Sequence, residues 1–303
     1  ILIRRRLTVS KTTIFTGAGV AIVTPMNPDG SVNYEKYREL IDWQIENGTD
    51  AIITCGTTGE SSTLGHEEHI AVMRTAVEQA AGRVPVISGT GSNDTAYCIE
   101  LSKEAEALGA DGLLLVTPYY NKASQKGLIL HYTAIADAVN LPIILYNVPS
   151  RTGVEMKPKT IAELAKHPRI VGVKEANGNI SAAAQVAALC DIDMYSGNDD
   201  QIVPLLSLGG KGVISVLSNI LPRPTHDICA KWFAGDVQGS RDLQLQYLEL
   251  ANALFTDVNP IPIKEAMNLM GMQVGDCRLP LCGMDDAARE ALAAVLRKYH
   301  LMA

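Results

Sequence analysis

The sequence predicts an α/β protein: a (β/α)8 barrel, the TIM-barrel fold, followed by a C-terminal helical subdomain. Three observations support this fold. Short β-rich apolar runs recur along the chain, segments of helical period separate them, and glycine turns join several helix ends to the next run. Strand, helix and strand in repetition favour a parallel sheet, and eight such repeats are typical of a closed barrel of about 250 residues.

Eight apolar runs are the candidate strands. In chain order they are "GVAIVTP" from residue 19, "AIITCG" from 51, "VPVISGTG" from 84, "GLLLVTP" from 112, "PIILYNVP" from 142, "IVGVKEA" from 170, "DMYSGND" from 193 and "GVISVLSN" from 212. An open doubly wound sheet is the alternative, but it would usually carry a glycine-rich phosphate loop after its first strand. Neither G-x-G-x-x-G nor a P-loop occurs here.

The first segment between two strands has a clear helical period. In residues 33–48, "NYEKYRELIDWQIENG", Asn33 is the expected N-cap and Gly48 the left-handed stop. Glycine turns recur in "NGTDAIIT", "LGADGLLL" and "LGGKGVIS", as expected between a helix and a strand. The residues expected on one helix face are Tyr34, Tyr37, Leu40, Ile41 and Ile45.

The chain is predicted to divide into residues 1–13, an N-terminal extension or tail, residues 14–225, the barrel, and residues 226–303, the helical subdomain. The first segment, "ILIRRRLTVSKTT", carries three arginines but lacks the apolar core and cleavage site of a secretory signal. A tail or an upstream translation start is favoured over a targeting role.

Composition limits the classes of partner. With 47% hydrophobic and 19% charged residues the chain fits a soluble globular protein, and its net charge of -7 argues against nucleic-acid binding. Apolar runs are well below the roughly 18 residues of a membrane span. Six scattered cysteines without a Cys-x-x-Cys pair indicate neither a zinc ribbon nor a disulfide scaffold. We therefore expect a cytoplasmic protein that acts on small molecules, without nucleic acid or membrane partners.

Lys174 stands at the end of an apolar strand. Side chains alternate along a strand, so Ile170, Gly172 and Lys174 are expected to share the inner face, with the two intervening valines outside. Gly172 is then expected to leave room for a ligand. The same alternation on strand five places Tyr146 near the lysine.

Two interpretations of Lys174 remain open: it ends the strand in water or beside a carboxylate, or it is a nucleophile. An unperturbed lysine has a pKa of about 10.4, and lowering that pKa by about three units corresponds to about 4 kcal/mol. Burial among apolar residues with few carboxylates has this effect and produces an amine that forms a Schiff base with a ketone. The mouth of a barrel is a suitable place for it.

Two further motifs lie at strand ends. "GTTGE" at residues 56–60 offers backbone N–H groups and two hydroxyls that suit a carboxylate, or it is an ordinary barrel turn. Arg151 in "VPSRTG" suits bidentate capture of a substrate carboxylate, or it forms a surface ion pair. His66 and His69 approach a metal-ligand spacing, but no third ligand is evident. A solvated first helical turn is favoured there, and no metal is predicted.

With these residues the chain resembles the dihydrodipicolinate synthase family, within the pyruvate-dependent Schiff-base aldolases that include N-acetylneuraminate lyase. The resemblance runs from about Phe15 to the C-terminus. It rests on "GTTGE", "TPYYN", "YNVPSRTG", "GVKEA" and "GVISV", in that order. "GTTGE" alone is typical of the superfamily, whereas "TPYYN" with "YNVPSRTG" is specific to the synthase branch.

The resemblance implies condensation of pyruvate with L-aspartate 4-semialdehyde, the first committed step of the diaminopimelate and lysine pathway. Lys174 would form the imine and Tyr146 would shuttle protons beside it. Thr57 would link Tyr146 to Tyr120, which in the family reaches in from a neighbouring subunit. No dissociable cofactor is implied, because the lysine supplies the electron sink.

The resemblance also implies the binding residues and the assembly. Thr58 would hold the pyruvate carboxylate, and Arg151 the carboxylate of the second substrate. Gly197 and Ile214 would line the floor of the site. The family is commonly a homotetramer built as a dimer of dimers, and the shared tyrosine requires at least a dimer.

A lysine-effector pocket is implied with one departure. Lysine-inhibited bacterial members place a glutamate where this chain has Tyr97, and that carboxylate would pair with the amine of the effector. We therefore expect weak or absent feedback by lysine. The residues that match the pocket are Ser61, Ser62, His66, His69, Asn93, Tyr97 and Tyr119.

Two other functions remain as alternatives. A related pyruvate aldolase would act on a sugar-derived aldehyde such as N-acetylmannosamine, but an aldehyde without a carboxylate gives Arg151 no partner. A non-catalytic paralogue that retains the barrel would be expected to have lost some of these residues, yet the lysine, tyrosines, threonines and arginine are all present.

Overall fold

The computed structural model describes residues 11–302, and these residues form a closed barrel of eight parallel strands. The strands follow one another around the barrel in chain order, and β1 pairs with β8 to close it. Their bounds are β1 Gly17–Ala21, β2 Ala51–Thr54, β3 Val86–Gly89, β4 Gly112–Val116, β5 Ile143–Asn147, β6 Ile170–Glu175, β7 Asp193–Ser196 and β8 Gly212–Ser215. The predicted fold class is confirmed, and every strand lies in a predicted run, although β1 begins two residues earlier.

Helices separate the strands and continue after β8. In the described part of the chain they are α1 Tyr34–Glu46, α2 His66–Ala80, α3 Thr95–Ala107, α4 Gln125–Ala138, α5 Pro149–Thr152, α6 Pro158–Leu164, α7 Ile180–Leu189, α8 Ile202–Ser207, α9 Pro222–Phe233, α10 Val237–Gln246, α11 Leu248–Ala253, α12 Ile261–Leu269 and α13 Asp286–Lys298. None of them is both long enough and apolar enough to span a membrane.

Helix α1 forms as its sequence predicts. Asn33 caps it by accepting a hydrogen bond from the Lys36 backbone N–H, and Gly48 follows its end with a φ of +87°. Tyr37, Leu40 and Ile41 are buried against the outer face of the barrel. The burial of these side chains removes apolar surface from water and stabilises the packing of α1 against the barrel.

Two apolar layers hold the barrel together. The outer layer lies between strands and helices, and the inner layer fills the barrel with side chains that include Ile53, Ile87, Ile144 and Ile214. At the N-terminal end of the strands, Phe15 stacks on Tyr195 with ring centres 4.5 Å apart. This stacked pair fills the inner layer near that end, and barrels of this type bind their ligands at the C-terminal ends of the strands.

The predicted domain boundaries stay predictions. Helix α9 is continuous across residues 225 and 226, and its Ile228 and Cys229 pack with Ala18 of β1 and Val213 of β8. Residues 1–10 of the predicted tail lie outside the described residues. Lys11, which the structure describes, donates to the backbone carbonyls of Ala165 and Ile170.

Candidate active site

Lys174 lies at the C-terminal end of β6, with its side chain inside the barrel. It is paired in register with Tyr146 of β5, and its Nζ lies 4.4 Å from the centre of the Tyr146 ring. Both residues are buried, with 5% of Lys174 and 6% of Tyr146 exposed. Within residues 11–302 the Lys174 amine has no hydrogen bond and no salt bridge. It therefore neither ends in water nor pairs with a carboxylate.

Gly197, just after β7, allows the lysine side chain to pass. A Cβ built on Gly197 would lie 3.1 Å from Cε of Lys174 and 2.6 Å from Cβ of Ala176, so any side chain there would push against the lysine. Ile214 of β8 is fully buried in the same inner layer as Tyr146. Gly197 thus lies beside Lys174, and Ile214 belongs to the same inner layer as Tyr146, while their role as the floor of the site stays a prediction.

Two details of the predicted inner face are wrong. Ile170 packs in the outer layer rather than the inner one, because the pairing of β5 with β6 is irregular after Ile143 and shifts the alternation by one residue. Gly172 leaves no room for a ligand. A Cβ on it would lie 3.3 Å from both Ile144 and the Tyr195 ring, so neighbouring side chains already fill the space.

The "GTTGE" turn places its two threonines differently. Thr57 is half-buried and lines a small cavity of about 30 Å³ together with Tyr146. No hydrogen bond joins Thr57 to Tyr146 or to Tyr120 in the described part of the chain. Thr58 is 2% exposed, and its Oγ1 accepts a hydrogen bond of 3.0 Å from Nδ2 of Asn259.

Glu60 at the end of this turn belongs to a buried ion pair that the sequence analysis missed. Its Oε1 lies 2.8 Å from Nζ of Lys264 in α12, and its Oε2 accepts from the backbone N–H of Arg278 at 2.9 Å. Lys264 also donates to the carbonyls of Thr24 and Asp276. The helical part of the chain therefore holds the "GTTGE" turn in place through charge and hydrogen bonds.

Arg151 and Tyr120 lie at the outer rim. Arg151 lies in the last turn of the short helix α5 and is exposed, and its Nη2 donates to the backbone oxygen of Asn259 at 3.0 Å. One nitrogen of the Arg151 guanidinium is thus held by this hydrogen bond, and the group faces the opening of the barrel. Tyr120 has a φ of +71° and is 89% exposed, so its ring projects away from its own barrel.

A cavity of about 460 Å³ joins the rim to the predicted effector residues. It is lined by Thr57, Arg151 and Asn259 and also by Ser61, Ser62, His69, Tyr97 and Tyr119. Two residues predicted for the effector pocket, His66 and Asn93, are not among its lining residues. A wider cleft of about 960 Å³ lies between the β1–α1 loop and residues 268–279. Of the residues predicted for the site, all of which the structure describes, none lines that cleft.

The two histidines of α2 have separate partners. His69 Nε2 lies 2.9 Å from the carbonyl oxygen of Gly89, and burial lowers the pKa of this imidazole. His66 lies beside the Tyr97 ring, with ring centres 5.8 Å apart, and near Glu100. Among residues 11–302 no group of three potential metal ligands occurs.

Two buried carboxylates flank Lys174, and neither was assigned a role from the sequence. Asp199 accepts from the backbone N–H groups of Val216 and Leu217 at 3.0 and 2.9 Å, and burial raises its pKa. Glu175 accepts two hydrogen bonds from the Asn147 amide and one from the Asn177 backbone N–H. Both carboxylates thus order the strand ends that carry the site.

Glu175 is expected to make stability depend on pH. Burial raises its pKa from the usual 4.5 to about 7, so between these values the folded state binds the proton more tightly. The free energy of unfolding should therefore fall as pH rises from about 4.5 to about 7, by roughly 3 kcal/mol, and level off above that. Urea unfolding at pH 5, 6, 7 and 8 measures this, and Glu175→Gln should remove this component of the slope.

An exposed carboxylate that does not act on Glu175 provides the control for that experiment. Glu163→Gln removes a surface charge paired with Lys166, so its unfolding profile should keep the slope of the unsubstituted protein. Parallel pH profiles for Glu175→Gln and the unsubstituted protein would contradict the assignment.

Comparison with known proteins agrees with this geometry. The model of the dihydrodipicolinate synthetase family matches residues 14–299. The chain belongs to the dihydrodipicolinate synthetase family. A 4-hydroxy-tetrahydrodipicolinate synthase from Lachnoclostridium phytofermentans is 61% identical over 292 residues, which cover 95% of this chain and 99% of that protein.

Solved structures of dihydrodipicolinate synthases are similar over nearly the whole chain. The chloride-inhibited enzyme from Acinetobacter baumannii, complexed with pyruvate, is 46% identical with a TM-score of 0.93, covering 96% of this chain and 100% of that one. The enzyme from Cyanidioschyzon merolae, with lysine bound, is 40% identical with the same TM-score and coverage. The predicted family is confirmed.

Proposed function

We propose that this protein is a lyase that condenses pyruvate with L-aspartate 4-semialdehyde through a Schiff base on Lys174, giving 4-hydroxy-tetrahydrodipicolinate. The observation that carries the proposal is the buried amine of Lys174, which lies against the Tyr146 ring and has no hydrogen bond or salt bridge within residues 11–302. Membership of the family and the identity to named synthases support the same reaction.

Two lysines are buried among the described residues, Lys174 and Lys264, and their partners differ in a way that selects Lys174. Lys264 is bound by the Glu60 carboxylate and two backbone carbonyls, which is how a structural ammonium is satisfied. Lys174 has no such partner within residues 11–302. Because an uncharged amine is the nucleophile for imine formation, a lysine that no carboxylate binds directly is the suitable one.

The covalent steps follow from this amine. Nζ of Lys174 adds to the ketone carbon of pyruvate and water leaves, which gives the imine. Loss of a methyl proton then gives an enamine, whose carbon attacks the aldehyde of the second substrate. The amino group of that adduct displaces the lysine and closes the ring. Tyr146 beside the amine carries protons in these steps, and no dissociable cofactor is required.

The carboxylate groups of the two substrates have separate binding partners in this proposal. Thr58 at the turn binds the pyruvate carboxylate, while Arg151 at the rim binds the carboxylate of the semialdehyde through its free nitrogens. Gly197 and Ile214 form the floor beneath pyruvate. A sugar-derived aldehyde would leave the Arg151 fork without a partner.

The assembly belongs to the proposal as well. We take the protein to be a homotetramer, a dimer of dimers, in which Tyr120 reaches the site of a neighbouring subunit and completes a relay with Thr57 and Tyr146. The exposure of Tyr120 supports this arrangement. A cytoplasmic location is proposed with it, and the absence of disulfides among the six cysteines supports that location.

The proposal is tested by pyruvate consumption in two parallel assays, one with L-aspartate 4-semialdehyde and one with N-acetylmannosamine. We expect consumption with the semialdehyde alone. Consumption only with the sugar would keep the imine on Lys174 but overturn the role of Arg151. Consumption with neither substrate would contradict the proposed reaction.

Feedback by lysine is expected to be weak or absent. Tyr97, which lines the 460 Å³ cavity beside His66, offers a phenol where an effector amine needs a carboxylate. Tyr97→Glu is therefore expected to lower the lysine concentration for half-inhibition by at least about tenfold, as expected for one gained ion pair. Tyr97→Phe serves as the control and should remain insensitive. Inhibition of the unsubstituted enzyme by micromolar lysine would refute this prediction.

A further inference from the structure

Asn259 connects two groups of the site that are far apart in the chain. It lies between α11 and α12, is separated from Thr58 by 201 positions and from Arg151 by 108, and is only 5% exposed. It lines the same cavity as Thr57 and Arg151. The residue therefore reaches the barrel mouth from the helical part of the chain.

Three polar groups of Asn259 differ in their hydrogen bonding. Its side-chain Nδ2 donates to Oγ1 of Thr58 at 3.0 Å, and its backbone oxygen accepts from Nη2 of Arg151 at 3.0 Å. Its Oδ1 is buried and has no hydrogen-bond partner in the structure of residues 11–302. A buried amide with one unsatisfied end destabilises the fold, so packing alone does not account for asparagine at this position.

The bond to Nδ2 determines what the Thr58 hydroxyl can do. A hydroxyl has one proton to donate and lone pairs with which to accept. Because the Asn259 amide donates, Oγ1 acts as the acceptor in this contact and its own proton must be donated elsewhere. Thr58 makes no other side-chain hydrogen bond within the described part of the chain. The proton is thus available to a carboxylate in the site.

We propose that Asn259 is a positioning residue for both substrates. Its amide keeps the Thr58 hydroxyl in the donor orientation toward the pyruvate carboxylate, and its backbone carbonyl holds the Arg151 guanidinium at the opening. This inference rests on the proposed function. Removal of the amide therefore weakens pyruvate binding through Thr58, while the backbone contact with Arg151 is retained in every variant.

The test uses pyruvate alone, so it does not depend on the second substrate. The measured quantity is the pyruvate concentration at which half of Lys174 is trapped by borohydride, for the full-length protein and its Asn259→Ala, Thr58→Val and doubly substituted variants. Asn259→Ala should raise that concentration by about tenfold, the loss expected when a hydrogen bond to a charged group is weakened. In the Thr58→Val variant, Asn259→Ala should raise the half-trapping pyruvate concentration little further.

Two further variants sharpen the test. Asn259→Asp replaces the donor with an acceptor, so the Thr58 proton turns toward the new carboxylate, and the loss of pyruvate binding should exceed that of Asn259→Ala. Asn252→Ala removes an exposed asparagine of α11 and should leave the half-trapping pyruvate concentration unchanged. If the aspartate variant does not fold, the cycle of Asn259→Ala with Thr58→Val decides alone.

A merely structural role gives a different pattern. Independent, multiplicative effects of Asn259→Ala and Thr58→Val, or unchanged trapping in Asn259→Ala, would overturn the inference. A protein that traps pyruvate but does not consume it with the semialdehyde would overturn the proposed reaction and leave this test intact. An unsubstituted protein that traps no pyruvate would overturn both.

Discussion

Replacing Lys174 with alanine or with arginine is expected to lower kcat by at least about a thousandfold, because neither side chain forms an imine with pyruvate. Arginine preserves a positive charge but remains protonated at any accessible pH. If the lysine acted only by charge, Lys174→Arg would retain activity. Steady-state pyruvate consumption with the semialdehyde measures the effect.

Loss of activity must be separated from loss of fold. Lys174 makes no hydrogen bond or ion pair in the described residues, so both variants should keep the far-ultraviolet circular dichroism of the unsubstituted protein and a similar unfolding midpoint. Lys166→Ala, which removes an exposed lysine paired with Glu163, is the matched control and should keep full activity. Activity of Lys174→Ala within tenfold of the unsubstituted protein would contradict the proposed mechanism.

Replacing Lys264 with methionine is expected to lower the free energy of unfolding by about 3–5 kcal/mol, because the buried Glu60 carboxylate then lacks its counter-charge. The side chains of both partners are 2% exposed, and the pair joins α12 to the turn that carries Thr57 and Thr58. Activity should therefore fall together with stability. Urea unfolding at a fixed protein concentration measures the change.

A double substitution tests the origin of that loss. Lys264→Met with Glu60→Gln removes the unpaired charge while leaving an oxygen for the Arg278 backbone N–H, so part of the stability should return. The control is Lys298→Met, which removes one partner of the exposed Lys298–Glu249 pair and should leave the free energy of unfolding nearly unchanged. Equal losses for the two lysines would contradict the assigned role of the buried pair.

Local patterns in the sequence predicted the barrel and the pairing of Tyr146 with Lys174. Each strand is a short apolar run bounded by glycine, and the alternation along β5 and β6 correctly places Tyr146 beside Lys174. The same alternation fails at Ile170, because an irregular pairing near Ile143 depends on two strands at once. The sequence of one strand alone does not indicate such a shift.

Contacts between distant parts of the chain account for what was missed. The glycine at position 172 led us to predict open space for a ligand. The Tyr195 ring of β7, the next strand, fills that space. Glu60 was considered only as part of a substrate-binding turn, yet its carboxylate pairs with Lys264, 204 positions later. Asn259 lies outside any periodic segment, so only the folded chain brings it to Thr58. Side-chain periodicity describes a single element, whereas these residues act between elements.

The most direct test of the central claim is borohydride reduction of the protein in the presence of pyruvate, followed by mass spectrometry of the peptide that contains Lys174. The buried amine, which no described residue binds, predicts that Lys174 carries the reduced pyruvate adduct and that no adduct forms when borohydride or pyruvate is omitted. An unmodified Lys174, or an adduct on another lysine, would contradict the account.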